Sequence, residues 1–332
     1  MVPRSAPPAR LAALLAALLV VVAVLAATGC GGGQAPAGAK APVGVQLALD
    51  FTPNAVHAPV FAAVRARHDR AHGVALTIRR PGAGPDALKL VASGRLDLGI
   101  LDIHDLAIAR EKGIDVVAVG ALVRRPLAAL VARTSIARPR DLEGRKVGVS
   151  GLPSDPAFLR AIIGHDGGDV SRVHLITIGF NAVSGILAGK VDAAPVFWNA
   201  EGVALRRHHV PIREFRVEDY GAPPYPEVVF VTARRTLERE RARIRATLLA
   251  IRDGVRTVAA DPAAAVAQIA HEAQTTDTGL IAAQLKAVQP IFAGDLRLDR
   301  GVLDRWADFD ARIGIVKRRP DVARAFDFSL LG

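Results

Sequence analysis

The sequence is poor in the residues that advertise chemistry. Its 332 residues include one cysteine, one methionine and an aromatic content of only 5%. A lone thiol, Cys30, can form neither an internal disulfide nor a multi-cysteine metal site. No G-x-S-x-G elbow and no H-E-x-x-H pair occur, so no standard nucleophile or zinc-hydrolase signature is present. The Gly-containing loop Pro81-Gly82-Ala83-Gly84-Pro85-Asp86 lacks the lysine and the spacing of a phosphate loop. With so few aromatic rings, each one beside a turn becomes a candidate stacking surface. Charge is plentiful, with 43 Lys and Arg against 32 Asp and Glu and a net +11. The basic residues are scattered and no basic cluster alternates with aromatics, so nucleic acid is not expected as a partner. They read instead as a solvated Arg-rich surface beside anionic lipid headgroups.

At this length two compact units are the default, and 51% apolar residues suffice to bury them. Arg4 and Arg10 precede an apolar run from Leu11 to Ala27, followed by Thr28-Gly29-Cys30. A basic start, an apolar core and small residues at a cut make a secretory signal. Ala27-Thr28-Gly29-Cys30 resembles a bacterial lipobox, whose cysteine becomes the acylated first residue of the mature chain. Ala27 stands where that pattern prefers Leu, which leaves an uncleaved anchor as the alternative. Residues 31–43 are rich in Gly, Ala and Pro and read as a flexible tether.

The most informative stretch is Val45–Phe61, VQLALDFTPNAVHAPVF. Alternating Val45, Leu47 and Leu49 predict a strand, Asp50 to Asn54 a turn, and Ala58 to Ala66 a helix. Asp50, Phe51, Asn54 and His57 thus fall at the C-terminal end of the first strand, the crest where open α/β sheets bind ligands. This segment resembles the L-D-W-T-P-N-x-x-H opening of the thiamine-pathway pyrimidine-precursor binding proteins, solute receptors of ABC importers; yeast pyrimidine synthase shares their fold. Phe51 replaces the usual Trp, keeping a ring face and losing the indole N–H. Val91-Ala92-Ser93-Gly94-Arg95-Leu96-Asp97 also matches a signature of the family, and Trp198 and Glu201 match its aromatic–x–x–Glu pattern, whose Glu contacts ligand. The Cys-rich segment of the yeast enzyme has no equivalent here.

Further along, strands and helices alternate. Gly94-Arg95-Leu96-Asp97 is echoed by Gly189-Lys190-Val191-Asp192, which suggests two units of similar plan. "P-x-D-L-x-G-x-x-V-G-V" at Pro139–Val149 resembles the entry into the second lobe of type II solute-binding proteins. The resemblance implies an α/β type II periplasmic-binding-protein fold with two lobes and a two-segment hinge. Lobe one is expected at 44–132 plus 228–332 and lobe two at 133–227, with crossings near Ala132 and Val228. Asp102, His104 and Asp105 sit too close on one turn to converge on one ion, so a helix cap by Asp102 is preferred to a metal site. Trp306 and Phe309, at i and i+3, read as core packing.

These readings give an expected ligand set of Asp50, Phe51, Asn54, His57, Gly84, Asp102, Ser154, Asn181, Trp198, Glu201 and Tyr225. A heterocycle is expected between Phe51 and either Trp198 or Tyr225, with Glu201 accepting from a ring amino group. His57 either orients the turn or donates to the ligand; Gly84 either offers a backbone contact or simply turns the chain. The expected function is a lipid-anchored, monomeric, extracytoplasmic receptor that delivers a small organic ligand to an ABC permease, without cofactor, metal or catalysis. An aminopyrimidine ranks above riboflavin, sulfonate or nitrate. A pyrimidine-pathway enzyme or a sensor ectodomain on the same fold are the alternatives.

Overall fold

The computed structural model describes residues 41–81, 86–152 and 154–332. Cys30, the apolar run before it and Gly84 therefore lie outside the described residues. Within Pro42–Gly332 the chain builds two five-stranded sheets. The first contains β1 (Val43–Ala48), β2 (Val74–Arg79), β3 (Leu98–Asp102), β4 (Val116–Ala121) and β10 (Val228–Ala233), in the order β2-β1-β3-β10-β4. The second contains β5 (Ala128–Arg133), β6 (Lys146–Val149), β7 (His174–Thr177), β8 (Ala193–Phe197) and β9 (Ile212–Arg216), in the order β7-β6-β8-β5-β9.

The two orders are the same pattern written twice. In each sheet the fourth strand is the one that has just crossed from the other half, and it runs antiparallel to both neighbours. The sequence echo has a structural counterpart. The Asp97 carboxylate accepts from the Gln46 amide at 2.8 Å, and that of Asp192 accepts from the Lys146 amide at 3.0 Å. Gly94 and Gly189 both adopt positive φ, +74° and +68°, a turn conformation that favours glycine.

One boundary differs from the sequence expectation. The run at 128–133, expected to finish the first lobe, is the antiparallel fourth strand of the second sheet, paired with β8 and β9. The first crossing therefore precedes Ala128. A strand buried on both faces carries no alternation that would tell which sheet it joins.

The long helix Arg234–Ala260 buries one apolar stripe, including Ile244, Leu248, Ile251 and Val255, and packs along the helix Ala58–Arg65. Gly254 allows this close crossing: a Cβ there would fall 2.1 Å from the Pro59 carbonyl oxygen. Trp306 and Phe309 are fully buried, as their spacing suggested. Among the described residues no helix is long and apolar enough to cross a membrane.

Candidate functional site

The turn after β1 is built by its own side chains. Asn54 caps the short helical turn Ala55–His57: its Oδ1 accepts from the Val56 amide at 3.0 Å and its amide nitrogen donates to the Thr52 carbonyl at 3.1 Å. His57 Nδ1 accepts from the Asn54 amide at 3.2 Å, so Nε2 carries the proton and donates to Asp50 Oδ1 at 2.9 Å. Both Asn54 and His57 are buried with their polar atoms occupied. They hold the turn that presents Phe51, and they do not line the cavity.

A cavity of about 100 Å³ opens between the two sheets. Phe51, Asp102 and His104 line it from the first half, and Ser154, Phe158, Phe180, Phe197 and Glu201 from the second. Glu227, the residue before β10, completes the floor. Asp50 and Asp105 line a neighbouring compartment that shares Phe51, Asp102, Phe180 and Phe197. Phe51 and Phe180 meet edge to face, their centroids 4.4 Å apart. Lysine and arginine are absent among the described residues that line the inner cavity.

Besides Asn54 and His57, three more expected site residues lie off the cavity. Trp198 is buried and its indole N–H donates to the Pro126 carbonyl at 3.0 Å, with the Arg216 guanidinium 4.2 Å above its ring. Its neighbour Phe197 faces the cavity instead. Tyr225 is fully buried behind the floor, its hydroxyl 2.9 Å from His104 Nε2 and its ring stacked near Phe309. Asn181 precedes the helix Ala182–Leu187 and donates to the Ile178 carbonyl at 3.0 Å, away from the cavity lining. Neither tyrosine nor tryptophan therefore supplies the ring opposite Phe51; Phe180 and Phe197 are the aromatic residues in place.

Electrostatics of the floor are dominated by carboxyl groups. Asp102 caps the helix Ile103–Glu111 by accepting from the His104 amide at 2.7 Å, as its position suggested. His104 Nδ1 lies 2.8 Å from Asp310 Oδ1, and its Nε2 lies 3.8 Å from Glu227 Oε1. Burial works against a charged imidazole, but Asp310, Asp102 and Glu227 outweigh it and raise His104 to about 10. Asp102, His104 and Glu227 bring possible ligand atoms within 4.8 Å of one another. Both imidazole nitrogens of His104 are already engaged, Nδ1 beside Asp310 and 3.3 Å from the Trp306 indole nitrogen and Nε2 beside the Tyr225 hydroxyl, so the trio does not offer a free imidazole to a metal.

Burial and the nearby Glu227 hold Asp102 well above the usual carboxylate range. Burial and Asp102 push Asp105 up to about 8, although the Ser154 hydroxyl bonds it. Asp155 accepts from the Ser150 hydroxyl and from the Gly151 and Leu152 amides, shaping the loop before the helix Asp155–His165. Glu201 opens the helix Glu201–Arg207 and accepts from the Phe197 amide at 3.2 Å; burial pushes its carboxyl up to about 7.

The sequence reading passed over Phe180, Phe197 and Glu227. Phe180 follows a glycine at the end of a strand, which is the crest position already assigned to Phe51, and so carried a usable signal. Glu227 had a fainter one: it is the charged residue just before the apolar run Val228–Val231.

Comparison with known proteins places this architecture. The NMT1/THI5-like family model matches residues 54–265, which run from the capped turn through the long helix. The chain belongs to the NMT1/THI5-like family. Within it, the chain is 33% identical over 191 residues to a formylaminopyrimidine-binding protein of Halalkalibacterium halodurans; the match covers 57% of this chain and 58% of that protein. It is 25% identical over 205 residues to a 4-amino-5-hydroxymethyl-2-methylpyrimidine phosphate synthase of Legionella pneumophila, covering 59% of this chain and 63% of that enzyme. The chain thus spans less than two thirds of either relative's length. The alkanesulfonate-binding protein SsuA of Xanthomonas axonopodis pv. citri shares the fold with a TM-score of 0.70 at 18% identity, covering 87% of this chain and 99% of its own. The periplasmic aliphatic sulphonate binding protein SsuA of Escherichia coli gives 0.67 at 19%, covering 86% and 92%. The NMT1/THI5-like chain has the periplasmic-binding-protein fold expected from its motifs.

Proposed function

We propose that this chain is the solute-binding component of an ABC importer and that its cleft takes an amino-bearing aromatic heterocycle, an aminopyrimidine of the thiamine pathway before others. The observation that carries the reading is the cavity lining: phenylalanine rings and carboxyl groups, with no lysine or arginine among the described residues. In the inner cavity a sulfonate or nitrate would meet the carboxyl groups of Asp102, Glu201 and Glu227, while the lysines Lys89 and Lys112 line only the neighbouring compartment. A flat ring with exocyclic N–H groups suits the same walls, through stacking on Phe51 and donation to Glu201. The formylaminopyrimidine-binding relative supports that chemistry; the fold shared with sulfonate receptors does not decide it.

The reading includes a mature chain lipidated on Cys30, acting as a monomer outside the cytoplasmic membrane with a permease as partner. Cys30→Ser should release the protein while leaving ligand binding intact, and labelled palmitate should enter wild type only.

A thermal-shift titration of the purified soluble domain tests the ligand. The series contains 4-amino-5-hydroxymethyl-2-methylpyrimidine, riboflavin, an alkanesulfonate and nitrate. A ligand at a hundred times its dissociation constant adds about 2.7 kcal/mol. Stabilisation by the sulfonate or nitrate, and not by the pyrimidine, would reverse the assignment. A second reading rests on the synthases among the relatives; pyrimidine product formed by the purified domain would favour it.

A further inference from the structure

Glu227 is fully buried and lines the cavity floor, and its two carboxylate oxygens have different surroundings. Oε2 accepts from the backbone amides of Leu127 and Ala128 at 2.7 and 2.9 Å. Oε1 has no hydrogen-bond partner. Leaving a buried carboxylate oxygen bare is costly unless a donor arrives. The His104 Nε2 atom, 3.8 Å away, is beyond bonding distance and already faces the Tyr225 hydroxyl.

Position adds to this. Ala128 begins β5, just after the chain first crosses between sheets, and Glu227 immediately precedes β10, where it returns. A single side chain of the cavity lining therefore ties the two crossing segments together and keeps one buried oxygen without a partner. Glu201, the other inner carboxylate with a family precedent, lies on the second half.

We propose that Glu227 Oε1 receives a second N–H or O–H donor from the bound ligand, so that the site selects rings carrying two donors and reads one of them at the hinge. The inference rests on the reading of the cleft as a receptor for amino-bearing heterocycles. With Glu201 as the first acceptor, a pyrimidine with an amino group and a neighbouring hydroxymethyl or aminomethyl group has the required pair. Burial keeps the Glu227 carboxyl above its usual range, while His104 and the Leu127 and Ala128 amides pull against that shift.

Titration calorimetry on wild type, Glu227→Gln and Glu227→Ala tests the assignment. In Glu227→Gln the side-chain carbonyl keeps the Leu127 and Ala128 amides and the NH2 group faces the cavity, so an acceptor becomes a donor. The probes are 4-amino-5-hydroxymethyl-2-methylpyrimidine and two analogues, one without the amino group and one without the hydroxymethyl group. Glu227→Gln should melt close to wild type, bind the full compound about tenfold or more weakly, and be indifferent to one of the two analogues. Glu227→Ala should lose both affinity and thermal stability. Unchanged affinity of Glu227→Gln, or an equal loss for all three probes, would overturn the proposal. Failure of wild type to bind any of the pyrimidines would refute the ligand reading instead. Benzamidine, a planar two-donor cation, then tests the acceptor: binding lost in Glu227→Gln supports it, and no binding to wild type removes it.

Discussion

Phe51 and Phe180 stand on opposite halves of the molecule and touch edge to face with centroids 4.4 Å apart, both lining the cavity. Each follows a strand of its own sheet at the crest. Both halves thus supply aromatic groups to the border of the cavity.

Phe51→Ala and Phe180→Ala should each weaken ligand about three- to tenfold, the range expected of an aromatic contact of about 0.5–1.5 kcal/mol. Because the two rings touch, the double variant should lose less than the sum. Trp198→Phe, by contrast, should leave affinity unchanged and lower stability, because its indole bonds Pro126 away from the cavity. Strict additivity of the two Phe substitutions, or a large affinity loss in Trp198→Phe, would count against this geometry.

Glu201 gives the affinity a pH dependence. Its carboxyl is raised to about 7, and an acceptor for ring N–H groups must be ionised. Affinity should therefore fall roughly tenfold per unit as pH drops below 7, since each unit corresponds to about 1.4 kcal/mol. Glu201→Gln should bind about tenfold more weakly at pH 8 and lose that part of the slope. Any slope remaining in the variant belongs to the ligand or to other groups. Calorimetry between pH 5 and 8 on both proteins checks the difference.

Stability of the ligand-free domain should move the other way. Glu201 rises from 4.5 to about 7, Asp105 from 3.8 to about 8 and His104 from 6.5 to about 10. In each interval the folded state holds more protons than the unfolded one, so stability falls as pH rises. The melting temperature should be several degrees higher at pH 5 than at pH 9, and ligand should narrow the gap. A flat or rising profile over that range would contradict the protonation states assigned to the floor.

Gly254→Ala should destabilise without touching ligand chemistry. The added methyl would fall 2.1 Å from the Pro59 carbonyl oxygen, forcing the two helices apart. Overpacking of this kind costs about 1–3 kcal/mol, visible as a lower denaturation midpoint. Folded Gly254→Ala should bind ligand with wild-type affinity.

Much of this was legible in the sequence, in places where local chemistry decides the outcome. The alternation of Val45 and Leu47, the turn from Asp50 to Asn54 and the cap at Asp102 depend on near neighbours, and the structure forms them as expected. Side-chain facing at strand ends was less legible. Phe197 and Trp198 are adjacent, and adjacent residues in extended chain point to opposite sides; a shift of one residue moved the expected ring from the cavity to the interior. Tyr225 looked like a loop aromatic because its loop holds four of the polar or proline residues typical of a surface. Its partners, His104 and Phe309, are more than eighty residues away in sequence, and no local pattern points to them. The first crossing was placed late for a related reason, since membership of a sheet is set by distant partners.

The exchanged fourth strands also govern the order in which the protein can be made. β3 and β4 leave the ribosome early, yet the strand that belongs between them, β10, begins only at Val228. The first sheet thus waits with an open gap while the whole of the second is synthesised. Such long-range pairing makes folding slow, and the first sheet stays incomplete until Val228 has been made. The exchange of fourth strands between the two sheets thus delays completion of the first sheet until most of the polypeptide has emerged.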